Sequence, residues 1–340
     1  MPANVIRSVR IAGTGSYVPD RIVTNQELER CAPTSDAWIR EKLGIQTRRV
    51  AAPNQATSDL AAAAARRALE QAAIAAEEID LIIVATATPD RPQPSTACIV
   101  QEKIRAFHAA AFDVAAVCSG FLYGLAVGSQ FIAANAYDRV LLIGADTFSR
   151  ITNWQDRSCV FFGDGAGAAV LTHARDGEGL LAVDLYADGR GKWSFTVPAG
   201  GSESPASPET VANHQHTYVM NGKAVFETAT TVLPAAIQKV VARCGLTIDD
   251  VDLLIPHQPS INILKVTAQK LGLPFSKVLT NMDRYANTAG ASVAILLDEA
   301  NQSHRLPDGA IIALAAVGAG WTWAAAVMRW VNDRRNAIQV

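Results

Sequence analysis

Short apolar runs alternate with amphipathic stretches along most of the chain. Three runs that are almost wholly apolar predict buried strands: residues 81–86, 109–117 and 140–144. Helical spacing of apolar side chains predicts helices in three stretches: residues 60–73, 95–107 and 120–136. A first strand is predicted over residues 9–13 with a turn at 15–19, and a bulged, glycine-rich strand over residues 161–171. Strands that alternate with helices in this way indicate a layered α/β architecture.

The pattern of one strand and its approach is repeated within the chain. Residues 73–84 and residues 245–256 match in their order of apolar and acidic positions, and each copy follows an amphipathic helix and leads into a buried strand. A proline-containing loop and another helix follow each strand. The chain is therefore predicted to contain two similar α/β halves, residues 1–175 and residues 176–340.

Composition narrows the classes of function. Of the 340 residues, 49% are hydrophobic and 18% are charged, which is typical of a compact protein with a large core. The formal net charge of −2 argues against a general nucleic-acid binder. Five scattered cysteines without a CxxC pair favour reduced thiols over a disulfide framework. No signal peptide and no run of transmembrane length is evident, so we expect a cytoplasmic protein without a membrane segment.

Cys118 lies where the apolar run 109–117 gives way to the predicted helix 120–136. A thiol at a strand-to-helix turn lies near backbone N–H groups and the positive end of the helix dipole, and both favour the nucleophilic thiolate. Ser119 and Gly120 are small enough to let a bulky thioester approach. A buried structural thiol is nevertheless the commoner role of a single cysteine.

Three polar or small-residue sites follow in the second half. His257 ends the predicted strand 251–256, and strand ends at one edge of such a sheet gather in one place, where His257 and Cys118 could share a cleft. Asn287 lies among small residues before an apolar helix, and the small residues 318–320 follow a predicted strand over 311–317. Taken one at a time, these features are better explained by a packed histidine, a helix cap and a plain turn.

Together these segments resemble the β-ketoacyl-acyl-carrier-protein synthase III family of the thiolase fold, over nearly the whole chain. The resemblance rests on the segment 112–121 around Cys118, on Pro256-His257-Gln258, and on Asn287-Thr288. Three further segments are similar to family segments: residues 34–45, 163–168 and 320–323. The resemblance implies a five-layered αβαβα thiolase-like fold and a homodimer.

The resemblance also implies a reaction and a set of roles. Cys118 would take an acyl group from acyl-CoA, and His257 and Asn287 would stabilise the enolate formed when a malonyl thioester (malonyl-CoA or malonyl-acyl carrier protein) loses carbon dioxide. Backbone N–H groups of Cys118 and Ala319 would form the oxyanion hole. The resemblance places the coenzyme A adenine region at Trp38 and Arg157. No metal or redox cofactor is expected.

Several departures from the family pattern bear on specificity. Asn262 and Gln269 stand where family members of fatty-acid synthesis usually carry an arginine and a lysine, the arginine being implicated in carrier-protein docking. Gln93 stands at a position that is often phenylalanine and limits the acyl pocket of the neighbouring subunit. These residues leave open a role in specialised metabolism, with quinolone or polyketide starters.

The same residue set also occurs in, or is compatible with, three other kinds of protein. Polyketide relatives with the same residue set are longer chains. Hydroxymethylglutaryl-CoA synthases add a glutamate that residues 87–90 lack. A silent acyl-thioester-binding partner is a third alternative, against which the presence of the cysteine, histidine and asparagine counts.

Overall fold

Two mixed β-sheets, each covered on both faces by helices, form the centre of the protein. The computed structural model of the chain describes residues 8–332. Ten helices are assigned within that range: α1 (Asn25–Leu28), α2 (Asp36–Leu43), α3 (Thr57–Ala72), α4 (Thr96–Ile104), α5 (Gly120–Ala133), α6 (Pro208–Ala212), α7 (Gly222–Arg243), α8 (Ile261–Leu271), α9 (Met282–Tyr285) and α10 (Ser292–Gln302).

The first sheet has five strands in the order β1-β7-β6-β4-β5. Its strands are β1 (Ser8–Tyr17), β4 (Leu81–Ala85), β5 (Ala110–Val114), β6 (Arg139–Thr147) and β7 (Asp164–Ala174). A small hairpin lies outside it: β2 (Arg21–Thr24) and β3 (Thr47–Val50). The central strands β4 and β6 are parallel and almost wholly buried, as their continuous apolar sequences predict.

The second sheet has four strands in the order β11-β12-β13-β8. Its strands are β8 (Gly179–Ala187), β11 (Leu253–Pro256), β12 (Ile311–Gly318) and β13 (Thr322–Arg329). A two-stranded ribbon accompanies it: β9 (Phe195–Thr196) and β10 (Val219–Met220). The first sheet is thus made from residues 8–174 and the second from residues 179–329.

The helices form three layers around the two sheets. Helices α3 and α4 pack on the outer face of the first sheet, and α7, with α8 against it, packs on the outer face of the second. Helices α5 and α10 lie between the sheets and contact both of them. The result is the five-layered αβαβα arrangement that the sequence predicted. None of the helices described within residues 8–332 is long and apolar enough to cross a membrane.

Two predicted strands differ from the observed ones for identifiable reasons. Strand β1 continues to Tyr17 instead of turning at residue 15, because its backbone pairs with β7 as far as Ala166. The strand expected over residues 109–117 ends at Val114, and it is partly exposed because β5 is the edge strand of its sheet. The residues that follow Val114 form the turn that carries Cys118.

Candidate active site

A cavity of about 330 Å³ opens between the ends of strands from the two sheets. Cys118, His257 and Asn287 all line it, although they come from three distant segments of the chain. Each of the three is at least nine-tenths buried. The rest of the wall is largely apolar and aromatic, including Phe161 and Trp321. The cavity therefore offers a thiol, an imidazole and an amide within largely apolar walls, where polar interactions are strong.

The turn that presents Cys118 is constrained on several sides. Val117 has φ 47°, a left-handed conformation that is costly for a β-branched residue. Ser119 donates its hydroxyl to the Ala116 carbonyl at 2.8 Å, and α5 begins at the next residue. Gly318 of the second sheet packs against this turn so closely that a Cβ there would lie 2.9 Å from the Cys118 backbone nitrogen. The thiol is thus held in place by residues of both sheets.

The charge state of Cys118 differs from the sequence-based expectation. Burial raises the pKa of the Cys118 thiol well above its usual range, and the negative charge of Asp146 raises it further. The thiol's contact with its own backbone N–H acts in the opposite direction and is the smaller effect. The backbone N–H favours the thiolate as the sequence predicted, but burial and Asp146 act against it. The thiol is protonated at neutral pH, and its proton must be removed during attack.

His257 follows strand β11 and is fixed at both ends. Its backbone N–H donates to the Ala315 carbonyl at 2.7 Å, which continues the pairing of β11 with β12. Its Nδ1 lies 2.7 Å from the Ser292 hydroxyl. Burial lowers the pKa of His257 to about 3, so the imidazole is neutral at physiological pH. A neutral imidazole can accept a proton or donate one hydrogen bond from the nitrogen that faces the cavity.

Ser292 controls which ring nitrogen carries the proton. Its hydroxyl lies 2.9 Å from the Ala289 carbonyl as well as 2.7 Å from His257 Nδ1, and it has a single proton for these two partners. When the hydroxyl donates to Ala289, His257 carries its proton on Nδ1 and presents a lone pair at Nε2. When the hydroxyl donates to His257, Nε2–H faces the cavity as a donor. Ser292 was not singled out from the sequence.

Asn287 is held through both its backbone and its side chain. Its N–H donates to the Phe161 carbonyl and its own carbonyl accepts from the Gly163 N–H, each at 3.0 Å. Its Oδ1 accepts from the Ala289 N–H at 2.8 Å, which leaves the amide Nδ2 for the cavity. A Cβ on Gly163 would lie 2.5 Å from the Tyr285 carbonyl, so only glycine allows this close pairing. Residues 161–163 therefore hold the asparagine loop, and strand β7 starts later than predicted.

The residues expected to bind coenzyme A lie beside the cavity mouth. Trp38 lines the cavity from α2, and the Arg157 guanidinium lies 4.0 Å from the centre of its ring. Arg48, which the sequence did not single out, is fully buried behind them. It donates to Asn25 Oδ1 at 2.8 Å and to the Val160 carbonyl at 3.1 Å. Because Asn25 in turn donates to Asp36 of α2 at 2.8 Å, Arg48 connects the segments that carry Trp38 and Arg157.

Two further predicted positions have different surroundings. Ala319 lines the cavity directly after Gly318, which packs on the Cys118 turn. Gln93 lies on an exposed loop and is not among the residues lining the cavity of its own chain, so its expected contact with a neighbouring subunit stays a prediction. Within residues 8–332 there is no group of three or more histidine, cysteine, aspartate or glutamate side chains placed to hold a metal ion.

Comparisons with known proteins agree with this arrangement. The family profile "3-Oxoacyl-[acyl-carrier-protein (ACP)] synthase III" matches residues 112–189, and the corresponding C-terminal profile matches residues 241–330. A protein of Caldanaerobacter subterraneus named β-ketoacyl-[acyl-carrier-protein] synthase III is 52% identical over 321 residues, which is 94% of this chain and 97% of that protein.

Solved structures extend the comparison to the fold. The 3-oxoacyl-[acyl-carrier-protein] synthase III of Aquifex aeolicus superposes with a TM-score of 0.88 at 38% identity, over 95% of this chain and all (100%) of that one. A priming β-ketosynthase from a polyketide biosynthetic pathway gives a TM-score of 0.90 at 31% identity, over 98% of this chain and 99% of that one. With a curated relative more than half identical along almost the whole chain, and with the thiolase fold in both solved structures, this protein belongs to the 3-oxoacyl-[acyl-carrier-protein] synthase III family of condensing acyltransferases.

Proposed function

We propose that Cys118, His257 and Asn287 carry out the two half-reactions of an acyl-CoA-primed condensation with a malonyl thioester. The observation that carries this proposal is that three distant segments place a thiol, a neutral imidazole and an amide in one cavity. These groups supply a nucleophile and two hydrogen-bonding partners, so the proposed chemistry needs no metal or redox cofactor.

In the first half-reaction, the Cys118 sulfur forms a bond to the acyl carbon of acyl-CoA. Because the thiol is protonated, its proton passes to His257 when Nε2 presents its lone pair, and then to the departing coenzyme A sulfur. The oxyanion that forms on the thioester carbonyl is held by the backbone N–H groups of Cys118 and Ala319. Support for that pairing comes from Gly318, which places the end of β12 against the Cys118 turn.

In the second half-reaction, the malonyl thioester loses carbon dioxide and the electron pair of the broken bond moves to the enolate. His257 Nε2–H and Asn287 Nδ2 donate hydrogen bonds to the enolate oxygen, and each pre-positioned donor contributes about 3 kcal/mol. The enolate carbon then attacks the acyl carbonyl on Cys118. The cysteine leaves as a thiolate and recovers a proton from water, and a 3-oxoacyl thioester is released.

We further propose that Trp38 and Arg157 bind the adenine of coenzyme A between them. They now stack on each other, with the guanidinium 4.0 Å from the ring centre. A planar ring inserted between them needs about 7 Å, two van der Waals layers, so the exposed Arg157 side chain must swing outward on binding. The binding of acyl-CoA thus orders a new position of Arg157.

We propose that the homodimer implied by the resemblance forms at strand β5. Strand β5 is the edge of the first sheet, and its residues are partly exposed along their length. An uncovered edge strand is a template for pairing with a second copy, which would extend the sheet across the dimer. Such a dimer would also bring the Gln93 loop towards the partner. Light scattering coupled to size-exclusion chromatography tests this state directly.

Incubation with acetyl-CoA followed by intact-mass measurement tests the proposed function. We expect an acetyl adduct on Cys118 in the wild type and no adduct in Cys118→Ala, and with malonyl-acyl carrier protein we expect a 3-oxoacyl product from the wild type alone. A wild-type protein that folds but takes no acyl group would refute the proposal. The scattered reduced cysteines support a cytoplasmic setting for this chemistry.

Asn262 favours a second candidate role, in specialised metabolism. Its side chain donates to the Lys42 carbonyl at 3.0 Å and so belongs to the wall between α8 and α2, where it supplies no positive charge for an acidic carrier protein. A starter role in specialised metabolism predicts rates with a larger or unusual acyl-CoA that exceed those with acetyl-CoA. Rates across a panel of acyl-CoA primers separate the two roles.

A further inference from the structure

Asp146 is a buried carboxylate that the proposed reaction does not use. It lies near the end of β6 and has no exposed surface. Its Oδ1 accepts hydrogen bonds from Thr86 Oγ1, the Ala87 N–H and Thr88 Oγ1 at 3.2, 2.8 and 2.9 Å. Its Oδ2 accepts from the Gly290 N–H at 2.8 Å. Four donors that converge on one carboxylate favour its ionised form, although burial raises its pKa to about 6.

Gly290 lies at the centre of the loop that holds both enolate donors. The preceding residue, Ala289, uses its N–H to hold Asn287 Oδ1 and its carbonyl to hold the Ser292 hydroxyl. Ser292 in turn contacts His257 Nδ1. A single peptide segment, residues 287–292, therefore sets the position of both side chains.

This loop is strained and needs an external anchor. Ala289 has φ 47°, a left-handed conformation that costs about 1–2 kcal/mol in a non-glycine residue. Gly290 is confined between Asp146 and the cysteine turn, since a Cβ there would lie 3.0 Å from Asp146 Oδ2 and 3.1 Å from the Val117 carbonyl. The pairing of Asn287 with residues 161–163 holds one end of the loop, and the charged bond from Gly290 to Asp146 holds its centre against the first sheet.

We infer that Asp146 is a positioning residue for the enolate-stabilising pair: through Gly290 it fixes the loop that aims Asn287 and His257 into the cavity. This inference rests on the proposed function, and it assigns to Asp146 no contact with substrate. Its removal affects the decarboxylation step more than the acylation of Cys118, because decarboxylation uses both donors that the loop aims, whereas acylation uses His257 alone, which its backbone bond to Ala315 also holds.

Asp146→Asn is the most informative variant because asparagine keeps the shape of the aspartate side chain but replaces one acceptor oxygen with an NH₂ donor. The new amide NH₂ must face one side of the site. An NH₂ that faces Thr86, Ala87 and Thr88 would oppose the Ala87 N–H and would also require both threonine hydroxyls to turn from donors into acceptors, whereas an NH₂ that faces the Gly290 N–H loses one hydrogen bond. The amide therefore turns its NH₂ towards Gly290 and sets donor against donor. The substitution breaks the loop anchor and leaves the other side intact.

Asp164→Asn provides a matched control. Asp164 is equally buried, starts the neighbouring strand β7, and accepts from the Ala51 N–H at 2.7 Å and from the Ser149 N–H at 2.9 Å. It anchors different loops and is not among the cavity-lining residues. A general loss of stability should therefore affect both variants alike, while a loss of loop position should appear in Asp146→Asn alone.

The experiment measures the two half-reactions separately in each variant. Acylation is followed by intact mass with acetyl-CoA, and decarboxylation by carbon dioxide release from carboxyl-labelled malonyl-CoA without primer. For Asp146→Asn we expect decarboxylation to fall at least about tenfold and acylation to fall several times less than decarboxylation. For Asp164→Asn we expect the ratio of the two rates to match wild type. Should Asp146→Asn not fold, Asp146→Ser, whose hydroxyl is too short to reach Gly290, tests the same separation.

The inference would be overturned if folded Asp146→Asn lost both half-reactions equally or kept its decarboxylation rate. The proposed function would still stand in that case, provided that the wild type is active. The same shift of the rate ratio in Asp164→Asn would also overturn it. A wild type that neither takes the acyl group nor releases carbon dioxide would overturn the proposed function and this inference with it.

Discussion

Removing the Asn287 side chain separates the two chemical steps. Asn287→Ala deletes the Nδ2 donor that faces the cavity and also the Oδ1 atom that accepts from the Ala289 N–H at 2.8 Å. Loss of one pre-positioned donor to an enolate costs about 3 kcal/mol of barrier, which corresponds to a roughly hundredfold slower decarboxylation. Loss of the bond to Ala289 costs about 1 kcal/mol in the free energy of unfolding.

Acylation of Cys118 should survive the same substitution. The thiol is held by its own turn and by Gly318, and the proposed proton acceptor is His257, whose contact with Ser292 does not involve Asn287. We therefore expect acylation of Asn287→Ala within about threefold of wild type, against a roughly hundredfold loss of decarboxylation.

Asn281→Ala is the control for this experiment. Asn281 is also buried, but its side chain donates to Glu299 at 2.8 Å and does not line the cavity. Both steps should run at comparable rates in Asn281→Ala and wild type once folding is verified by thermal denaturation. The proposed division of roles fails if folded Asn287→Ala loses acylation as severely as decarboxylation.

Three further predictions address other parts of the site. Ser292→Ala removes the partner of His257 Nδ1 and should slow decarboxylation about tenfold in a carbon dioxide release assay. A near-normal rate would show that Ser292 does not determine which ring nitrogen of His257 carries the proton. The folded-state pKa of His257, about 3, lies below the unfolded value of 6.5, so the unfolded chain binds more protons between these values. The contribution of His257 to the free energy of unfolding, up to about 5 kcal/mol, is therefore present above pH 6.5 and is lost as the pH falls towards 3. In urea unfolding, the stability of His257→Gln should therefore decrease less on acidification than that of wild type. Trp38→Ala should raise the KM for acetyl-CoA about tenfold and leave that for acetyl-pantetheine unchanged, whereas equal changes for both would contradict the adenine assignment.

Local sequence signals predicted much of the framework. The apolar run before Cys118 and the small residues after it correctly indicated a strand, a turn and the helix α5. Strands and helices have different spacings of apolar side chains, and a few residues are enough to tell the two apart. The internal repeat predicted the equivalent strands β4 and β11. The position of His257 followed from the end of β11.

Properties that depend on distant contacts were not predicted. Asp146 and Gly290 are 144 positions apart, and nothing near either residue in the sequence indicates their hydrogen bond. Arg48 likewise acquires its role by linking segments that are remote in sequence. The effect of burial on the Cys118 thiol was not predicted for a related reason: the helix terminus is visible in the sequence, whereas burial comes from residues that are distant along the chain.

The contact between Gly318 and the Cys118 turn has a consequence for how the nucleophile is protected during synthesis. While residues up to 318 are still being made, the turn can form on the first sheet but lacks the cover that the second sheet provides. Cys118 then has less cover than in the folded protein, so burial raises the pKa of its thiol less. An unfinished chain is therefore more open to thiol oxidation or alkylation than the folded enzyme. The difference in exposure disappears once Gly318 of β12 packs on the turn.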